Sequence, residues 1–487
     1  YLQPIHCPET FLVETPFPPD DRSTGFERGT LINKEWDQAT TSGAIETVEY
    51  ILPRLQELSG VSAISLEQAS KLRDFCRQFA ERAFRRPLTS EQHQLYIERT
   101  FAGAPDLETA VERVVLLVLK SPRFLYHETG GTGADGWQRA SRMSFVLWDS
   151  LPDAELRSAA AAGQLATREQ VAGQVQRMIT DPRFDAKIHE FFIQWMKLDQ
   201  ARELAKDVSL FPDFNRLVAS DLRTSLELLL EDVIRGEHAD FRQFLLTDSL
   251  YLNGRLAPIY GAGLAHDAPF QKVVVDAGSR AGVLSHPYLM ATFADATTTS
   301  PIRRGVFLAR SLLGRALRPP PDSFALLPVS LHPNLTTRER VSLQTNAQTC
   351  QACHGLINPL GFALEGFDAL GRWRTIDNSK MVDATGAYLS RTGKPAKFNG
   401  ARELGAFLVD SEETHTAFIE KLFYYSVQQP VRAFGPQALP ELRESFARNS
   451  FNIRKLMEAI AVVAALRAEG PSERAATPGD GAASASN

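Results

Sequence analysis

Apolar residues recur every three or four positions through most of this 487-residue chain, the spacing of an α-helix that buries one face. One strong example begins at Leu72 and stops at Arg85-Arg86-Pro87, where proline ends the helical pattern. Only Val273-Val274-Val275 is typical of a strand. The pattern therefore predicts a mainly α protein. Predicted helices cover residues 43–58, 72–84, 106–120, 138–160 with an interruption at 150–153, 168–180, 183–198, 212–235, 402–428 and 437–468, and Thr89 with Gln92 forms a capping box that begins another.

Composition and charge narrow the class of protein. Hydrophobic residues make up 44% of the chain and charged residues 23%, which is ordinary for a globular protein. The net charge of −5 argues against a nucleic-acid partner bound through a general basic surface. No run of 18 apolar residues exists, so the sequence predicts no transmembrane segment. The length predicts several domains.

The chemistry of the chain is concentrated in Cys350-Gln351-Ala352-Cys353-His354. Cys-x-x-Cys-His is the attachment pattern of a c-type haem, in which each thiol forms a thioether and the imidazole is the proximal iron ligand. A zinc site would need further Cys or His nearby, and none follows within the next 60 residues. A dithiol redox pair would need a βαβ context, which the pattern lacks. We therefore predict one covalent haem c.

Two cysteines lie outside this motif. Cys7 and Cys76 could form a disulfide in an oxidising compartment. Cys76 lies on the apolar face of a predicted helix, so a buried free thiol is the alternative.

The proximal side of the haem should be completed by residues that follow the motif. The second ring nitrogen of His354 needs an acceptor, for which a backbone carbonyl near Pro359 is the candidate. The alternative is that Pro359 only turns the chain. Gly361 and Gly371 either let the backbone approach the porphyrin or lie in simple turns.

Two arginines are candidates for binding the haem propionates. Arg372 and Arg374 carry guanidinium groups that match carboxylates bidentately. A solvated basic edge, or pairing with Glu365 and Asp368, is the competing interpretation.

The distal iron ligand decides between electron transfer and catalysis. Met381 lies 27 residues after His354 in a polar loop, as a thioether ligand would in a small cytochrome c. His286, before Pro287, is the imidazole candidate. An open distal site remains the third possibility and would permit oxygen or peroxide chemistry.

Several strings resemble those of a large bacterial family, the planctomycete-type cytochrome-like proteins, built from consecutive domains of unknown function around one Cys-x-x-Cys-His. The similarity covers roughly residues 15–465 and implies covalent haem and export. Members commonly have Met-Asp-Pro after the haem histidine, whereas this chain has Ile357-Asn358-Pro359. The strings that carry the resemblance are FAERAFRRPLT at 79–89, SPRFLY at 121–126, SRMSFVLW at 141–148, TSPIRRG at 299–305 and residues 350–374.

Motifs, composition and resemblance together predict a domain order. It consists of an irregular segment and helix that resemble the tail of a preceding domain (1–60), a small helical domain (61–135), a helical domain (136–275), a c-type cytochrome-like haem domain (276–400), a C-terminal helical domain (401–468) and a disordered tail (469–487).

The function expected from the sequence is that of an exported mono-haem c-type cytochrome-like protein that transfers electrons to or from a partner protein. Haem attachment to this motif occurs outside the cytoplasm, so a bacterial periplasm or cell surface is expected. A haem enzyme of peroxidase or oxidase type is the alternative, because some 330 residues before the motif are more than an electron carrier needs. A third possibility is a structural or interaction subunit of a membrane-associated or multi-subunit redox assembly.

Overall fold

The computed structural model describes residues 11–18, 32–60, 67–126, 134–198, 204–236, 238–276, 278–317 and 332–466. The chain divides into two compact units, one formed mainly by residues up to Arg177 with those from Ala461 onward, the other mainly by Met178–Ile460. Helices dominate the described residues and strands occur only in short pairs, so the predicted mainly α, multi-domain class is confirmed. None of the described helices is both long and apolar enough to span a bilayer.

Helices of the first unit begin where polar caps predict. Thr89 and Gln92 form the predicted capping box, and the Asp106 side chain accepts from the Thr109 amide at the start of the next long helix. The predicted helix over 43–58 begins earlier, after the cap Asn33, and is broken near Pro53. The helices are Lys34–Ile51, Leu52–Arg54, Leu55–Ser59, Gln68–Ala83, Ser90–His93, Gln94–Glu98, Arg99–Ala102, Leu107–Leu119, Pro122–Leu125, Gly136–Trp148, Ala154–Ala161 and Arg168–Met178.

The core of the first unit is built on one apolar helix face. Val111, Val114 and Val118 on Leu107–Leu119 are fully buried, and this helix packs against Gln68–Ala83. Cys76 lies in the same core with no exposed surface, and burial raises the pKa of its thiol to about 12. Cys7 lies outside the described residues, so its pairing with Cys76 stays a prediction.

Two long helices predicted in the C-terminal part of the chain are each broken in two. The predicted helix over 402–428 breaks at Ser411, whose side chain accepts from the Thr414 amide and begins a new helix. The helix over 437–468 breaks where Ser450 and Phe451 adopt left-handed backbone. Helices are Pro182–Trp195, Arg216–Arg235, Phe241–Leu246, Ala257–Tyr260, Gly282–Ser285, Pro287–Thr292, Pro301–Phe307, Leu308–Leu312, Thr337–Gln344, Gln348–Phe362, Gly400–Asp410, Glu412–Val427, Val431–Phe434, Ala438–Arg448 and Ile453–Ala465.

Among the described residues of the second unit, the strands form three antiparallel pairs. The strand run predicted from Val273 pairs with a strand that the sequence pattern missed, because four residues are too few for a clear alternation. The pairs are Ser249–Leu252 with Gln271–Val274, Ile376–Asp377 with Lys380–Met381, and Thr385–Leu389 with Pro395–Asn399.

Two glycines let the helix Gln348–Phe362, here called the motif helix, cross Pro301–Phe307 at close range. A Cβ at Gly361 would lie 1.9 Å from the Pro301 carbonyl oxygen, and one at Gly305 would lie 2.1 Å from the Ile357 carbonyl oxygen. The close approach predicted for Gly361 is therefore made to a neighbouring helix in this structure. Gly371 has a φ of 73°, and its Cβ would lie 2.6 Å from the Pro287 Cα.

Candidate functional site

The motif helix brings the two thiols and the imidazole of the motif together. Cys350, Cys353 and His354 occupy positions i, i+3 and i+4 in its first two turns, so they share one helix face. Both cysteines are free thiols; Cys353 is exposed, while Cys350 and His354 are partly exposed. All three side chains are therefore accessible to a group that binds from solvent.

The His354 ring is held by a side chain that the sequence analysis did not assign. Its Nδ1 lies 3.0 Å from Asn358 Oδ1, one helical turn onward on the same face. Among the described residues, Nε2 has no hydrogen-bond partner. The group beside Nδ1 is therefore the Asn358 amide, whereas the sequence predicted a backbone carbonyl near Pro359.

Pro359 does not turn the chain. It lies inside the motif helix, which continues to Phe362. Because proline has no N–H, the helical hydrogen bond to the carbonyl of Gly355 is not made. The alternative interpretation, that Pro359 only turns the chain, is therefore wrong.

Both arginines predicted to bind propionates are paired with carboxylates. Arg372 Nε lies 2.7 Å from Asp368 Oδ2. Arg374 makes contacts of 2.9 Å with Glu365 Oε2 and with Asp377 Oδ1. The structure thus has the competing arrangement that the sequence left open, in which these guanidinium groups bind protein carboxylates.

Glu365 and Arg304 fix the chain that follows the motif helix. Arg304 has no exposed surface and lies 3.3 Å from the Glu365 carboxylate, and it also donates to the carbonyls of Leu364, Phe367 and Asp368. Burial lowers the pKa of Arg304 to about 10 and raises the pKa of Glu365. This buried cluster anchors the chain after the motif helix to Pro301–Phe307.

His286 is a core residue. It has no exposed surface, its Nδ1 accepts from the Tyr288 amide at 3.3 Å, and its Nε2 lies 3.3 Å from Ser225 Oγ. Burial lowers its pKa to about 3, with Arg280 adding to the effect. Both ring nitrogens are therefore engaged in the core of this structure, and the role of His286 as a distal ligand stays a prediction.

Met381 borders an open cleft. Its side chain is 71% exposed, and the cleft has a volume of about 580 Å³. Other lining residues include Leu343, which is half exposed, and Asn346, two residues before the motif helix begins. Of the two predicted distal ligands, only Met381 offers a sulfur or nitrogen atom to a cleft.

Asn358, Arg304 and Glu365 were not assigned to the site from the sequence, and only some of these residues carry a local sequence signal. Asn358 stands four positions after His354, so a helical reading of the motif would have placed the two together. Arg304 and Glu365 are 61 positions apart, and no local pattern indicates their pairing. Within the described ranges, no three or more His, Cys, Asp or Glu side chains are grouped as a metal site.

Comparisons with known families match most of the chain to four consecutive models, each described as a protein of unknown function. In chain order they are DUF1595 at residues 71–128, DUF1592 at 135–262, DUF1588 (also called PSCyt3) at 280–377 and DUF1585 at 395–463. Cys350, Cys353 and His354 fall within the third match. No curated protein and no solved structure matches the chain.

Proposed function

Because the chain belongs to the planctomycete-type cytochrome-like series of consecutive domains, we propose that it is an exported mono-haem c-type cytochrome that transfers electrons. One observation supports this most strongly: two free thiols lie on one accessible helix face with an imidazole whose Nε2 has no hydrogen-bond partner among the described residues. A covalently bound haem iron would supply a one-electron redox couple. The donor set fits this group, since thioether formation needs reduced thiols and axial ligation needs a bare imidazole nitrogen.

The residues of the chain would divide the binding between them. Cys350 and Cys353, one helical turn apart, would hold the group covalently, and His354 Nε2 would provide the proximal nitrogen. Met381 is the distal candidate, because its thioether is exposed on the cleft. Arg372 and Arg374 would reach propionates only by sharing or leaving their present carboxylate partners.

The proposal includes a location and a partner. Since haem is joined to this motif outside the cytoplasm, we place the protein in a bacterial periplasm or at the cell surface. A redox partner protein would exchange electrons with it, alone or within a membrane-associated or multi-subunit assembly.

Cysteine variants test the proposal. In a host that matures c-type cytochromes, we expect Cys350→Ala and Cys353→Ala to retain haem by a single thioether or lose it, and the double variant to lose all covalent haem. Haem staining after denaturing electrophoresis measures this. Cys76→Ala is the matched control, because Cys76 is buried in the first unit, and it should keep full staining. Normal haem staining of the double variant would contradict the proposal.

A haem enzyme is the second candidate. The observation that favours it is the open cleft of about 580 Å³ beside Met381, which is large enough for a small substrate. Carbon monoxide separates the two functions: a six-coordinate carrier leaves the reduced spectrum unchanged on addition of the gas, while an open iron binds it.

A further inference from the structure

We propose that Asn358, with its amide oriented by Thr345, is a positioning residue that holds His354 in the tautomer with its proton on Nδ1 and its lone pair on Nε2. The functional importance of this tautomer rests on the proposed function, because Nε2 is the nitrogen that would bind iron. The arrangement of hydrogen bonds can be tested without haem.

The argument begins at the buried hydroxyl of Thr345, the residue that ends the helix Thr337–Gln344. Its Oγ1 donates to the Val341 carbonyl at 2.7 Å. A hydroxyl has one proton, so Thr345 Oγ1 can only accept from any other neighbour. That neighbour is Asn358, whose amide group lies 2.8 Å away. The atom that Asn358 turns toward Thr345 must therefore be its NH₂ group.

The orientation of the amide then decides the tautomer of the imidazole. With its NH₂ directed at Thr345, Asn358 presents Oδ1 to His354 Nδ1 at 3.0 Å. An amide oxygen only accepts hydrogen bonds, so Nδ1 must carry a proton. A neutral ring with its proton on Nδ1 has its lone pair on Nε2, and the opposite tautomer would place two acceptors against each other.

Burial makes this arrangement rigid. Asn358 is 5% exposed and Thr345 is 4% exposed, so water cannot easily replace either partner. A second contact holds the same junction, because Gln351 Nε2 donates to the Thr345 carbonyl at 2.6 Å. Thr345 thus fixes both the first turn of the motif helix and the amide that orients His354.

The identity of residue 358 also sets how strongly the imidazole donates electrons. A neutral amide withdraws the Nδ1 proton less than a carboxylate would, and partners of this kind tune the basicity of a metal-binding histidine. Asparagine at this position therefore favours a higher reduction potential than aspartate would. The side chain at position 358 would thus influence the reduction potential through its hydrogen bond to His354.

The first test uses the full chain made without haem maturation. After ¹⁵N-histidine labelling, long-range ¹H–¹⁵N spectra report which ring nitrogen carries the proton. A His354→Gln variant identifies the signal. We expect the Nδ1–H form in the unsubstituted protein and in Thr345→Ser, which keeps the hydroxyl, and a shift toward the other tautomer in Thr345→Val. An Nε2–H form in the unsubstituted protein, or no change in Thr345→Val, would overturn the inference.

The second test uses the haem-loaded chain and its reduction potential. We expect Asn358→Asp to lower the midpoint potential and Asn358→Leu to raise it, whereas a merely structural role would move both in the same direction. Shifts of the same sign would contradict the tuning role. If no variant and no unsubstituted protein carries haem, the proposed function fails, while the tautomer spectra still decide the position of the proton.

Discussion

At the scale of single residues, the two candidate histidines show why sequence alone could not choose between ligands. His354 and His286 are each followed by a proline within five positions, and the flanking sequence does not indicate whether either side chain is buried. In the part of the chain that the structure describes, Nε2 of the partly exposed His354 has no hydrogen-bond partner, whereas His286 is buried with both nitrogens engaged. Covalent haem attachment is predicted from the spacing of the cysteines. Whether an imidazole nitrogen is accessible depends on neighbours that are distant in the chain.

The burial of His286 predicts that folding stability decreases at acidic pH, and that replacing His286 reduces this decrease. Its folded pKa is about 3, so the unfolded chain binds a proton below about pH 6.5 that the folded chain excludes. Stability from this group is complete above that pH and falls by about 1.4 kcal/mol per pH unit as the solution becomes more acidic. His286→Asn keeps a helix-capping acceptor and cannot titrate. We expect urea midpoints to fall less between pH 7 and 4.5 in this variant; equal falls would contradict the prediction.

Met381 carries the prediction about the distal side of the iron. If its thioether is the sixth ligand, Met381→Ala should convert the haem-loaded protein from a low-spin to a high-spin absorption spectrum and lower its potential. A control variant in the same cleft separates loss of the ligand from a change in folding. Leu343→Ala, which alters the same cleft without removing sulfur, is the control and should leave the spectrum unchanged. An unaltered spectrum in Met381→Ala would remove it from the list of ligands.

At the scale of elements, helix starts were more predictable than helix continuity. Local caps such as Thr89 with Gln92 belong to one short stretch and are visible in the sequence. The break at Ser411 was not predicted, because the apolar spacing continues through it while the serine side chain caps a new helix. The crossing of the motif helix with Pro301–Phe307 depends on two glycines 56 positions apart, and no local pattern joins them.

The helix crossing predicts that alanine substitutions at two glycines of the motif helix change the unfolding free energy very differently. Gly361→Ala would place a Cβ 1.9 Å from the Pro301 carbonyl oxygen, so we expect a loss of about 3 kcal/mol or more in unfolding free energy. Gly355→Ala is the matched control, since its nearest neighbour is the flexible Gln351 side chain at 3.7 Å. Alanine favours a helix over glycine by about 1 kcal/mol, so the control should be neutral or slightly more stable. Urea unfolding followed by circular dichroism measures both; similar stabilities would contradict the crossing.

At the scale of the whole molecule, the candidate chemistry lies within one of the two units. The Cys-x-x-Cys-His face, the cleft beside Met381 and the buried cluster of Arg304 with Glu365 all belong to Met178–Ile460. The first unit has an apolar core of its own, in which Cys76 is buried. The sequence predicted the helical class correctly, because that class depends on local spacing. The surroundings of the motif are assembled from residues that lie from 4 to 61 positions apart, and most could be found only in the folded chain.

The central claim is that this chain carries one haem, bound covalently through Cys350 and Cys353. The most direct test is the intact mass of the denatured full chain, purified from a host that matures c-type cytochromes. We predict a mass equal to that of the polypeptide plus a single haem, retained through denaturation and absent from the Cys350→Ala, Cys353→Ala double variant. A polypeptide mass with nothing added, in a host that matures a known c-type cytochrome in parallel, would contradict the account.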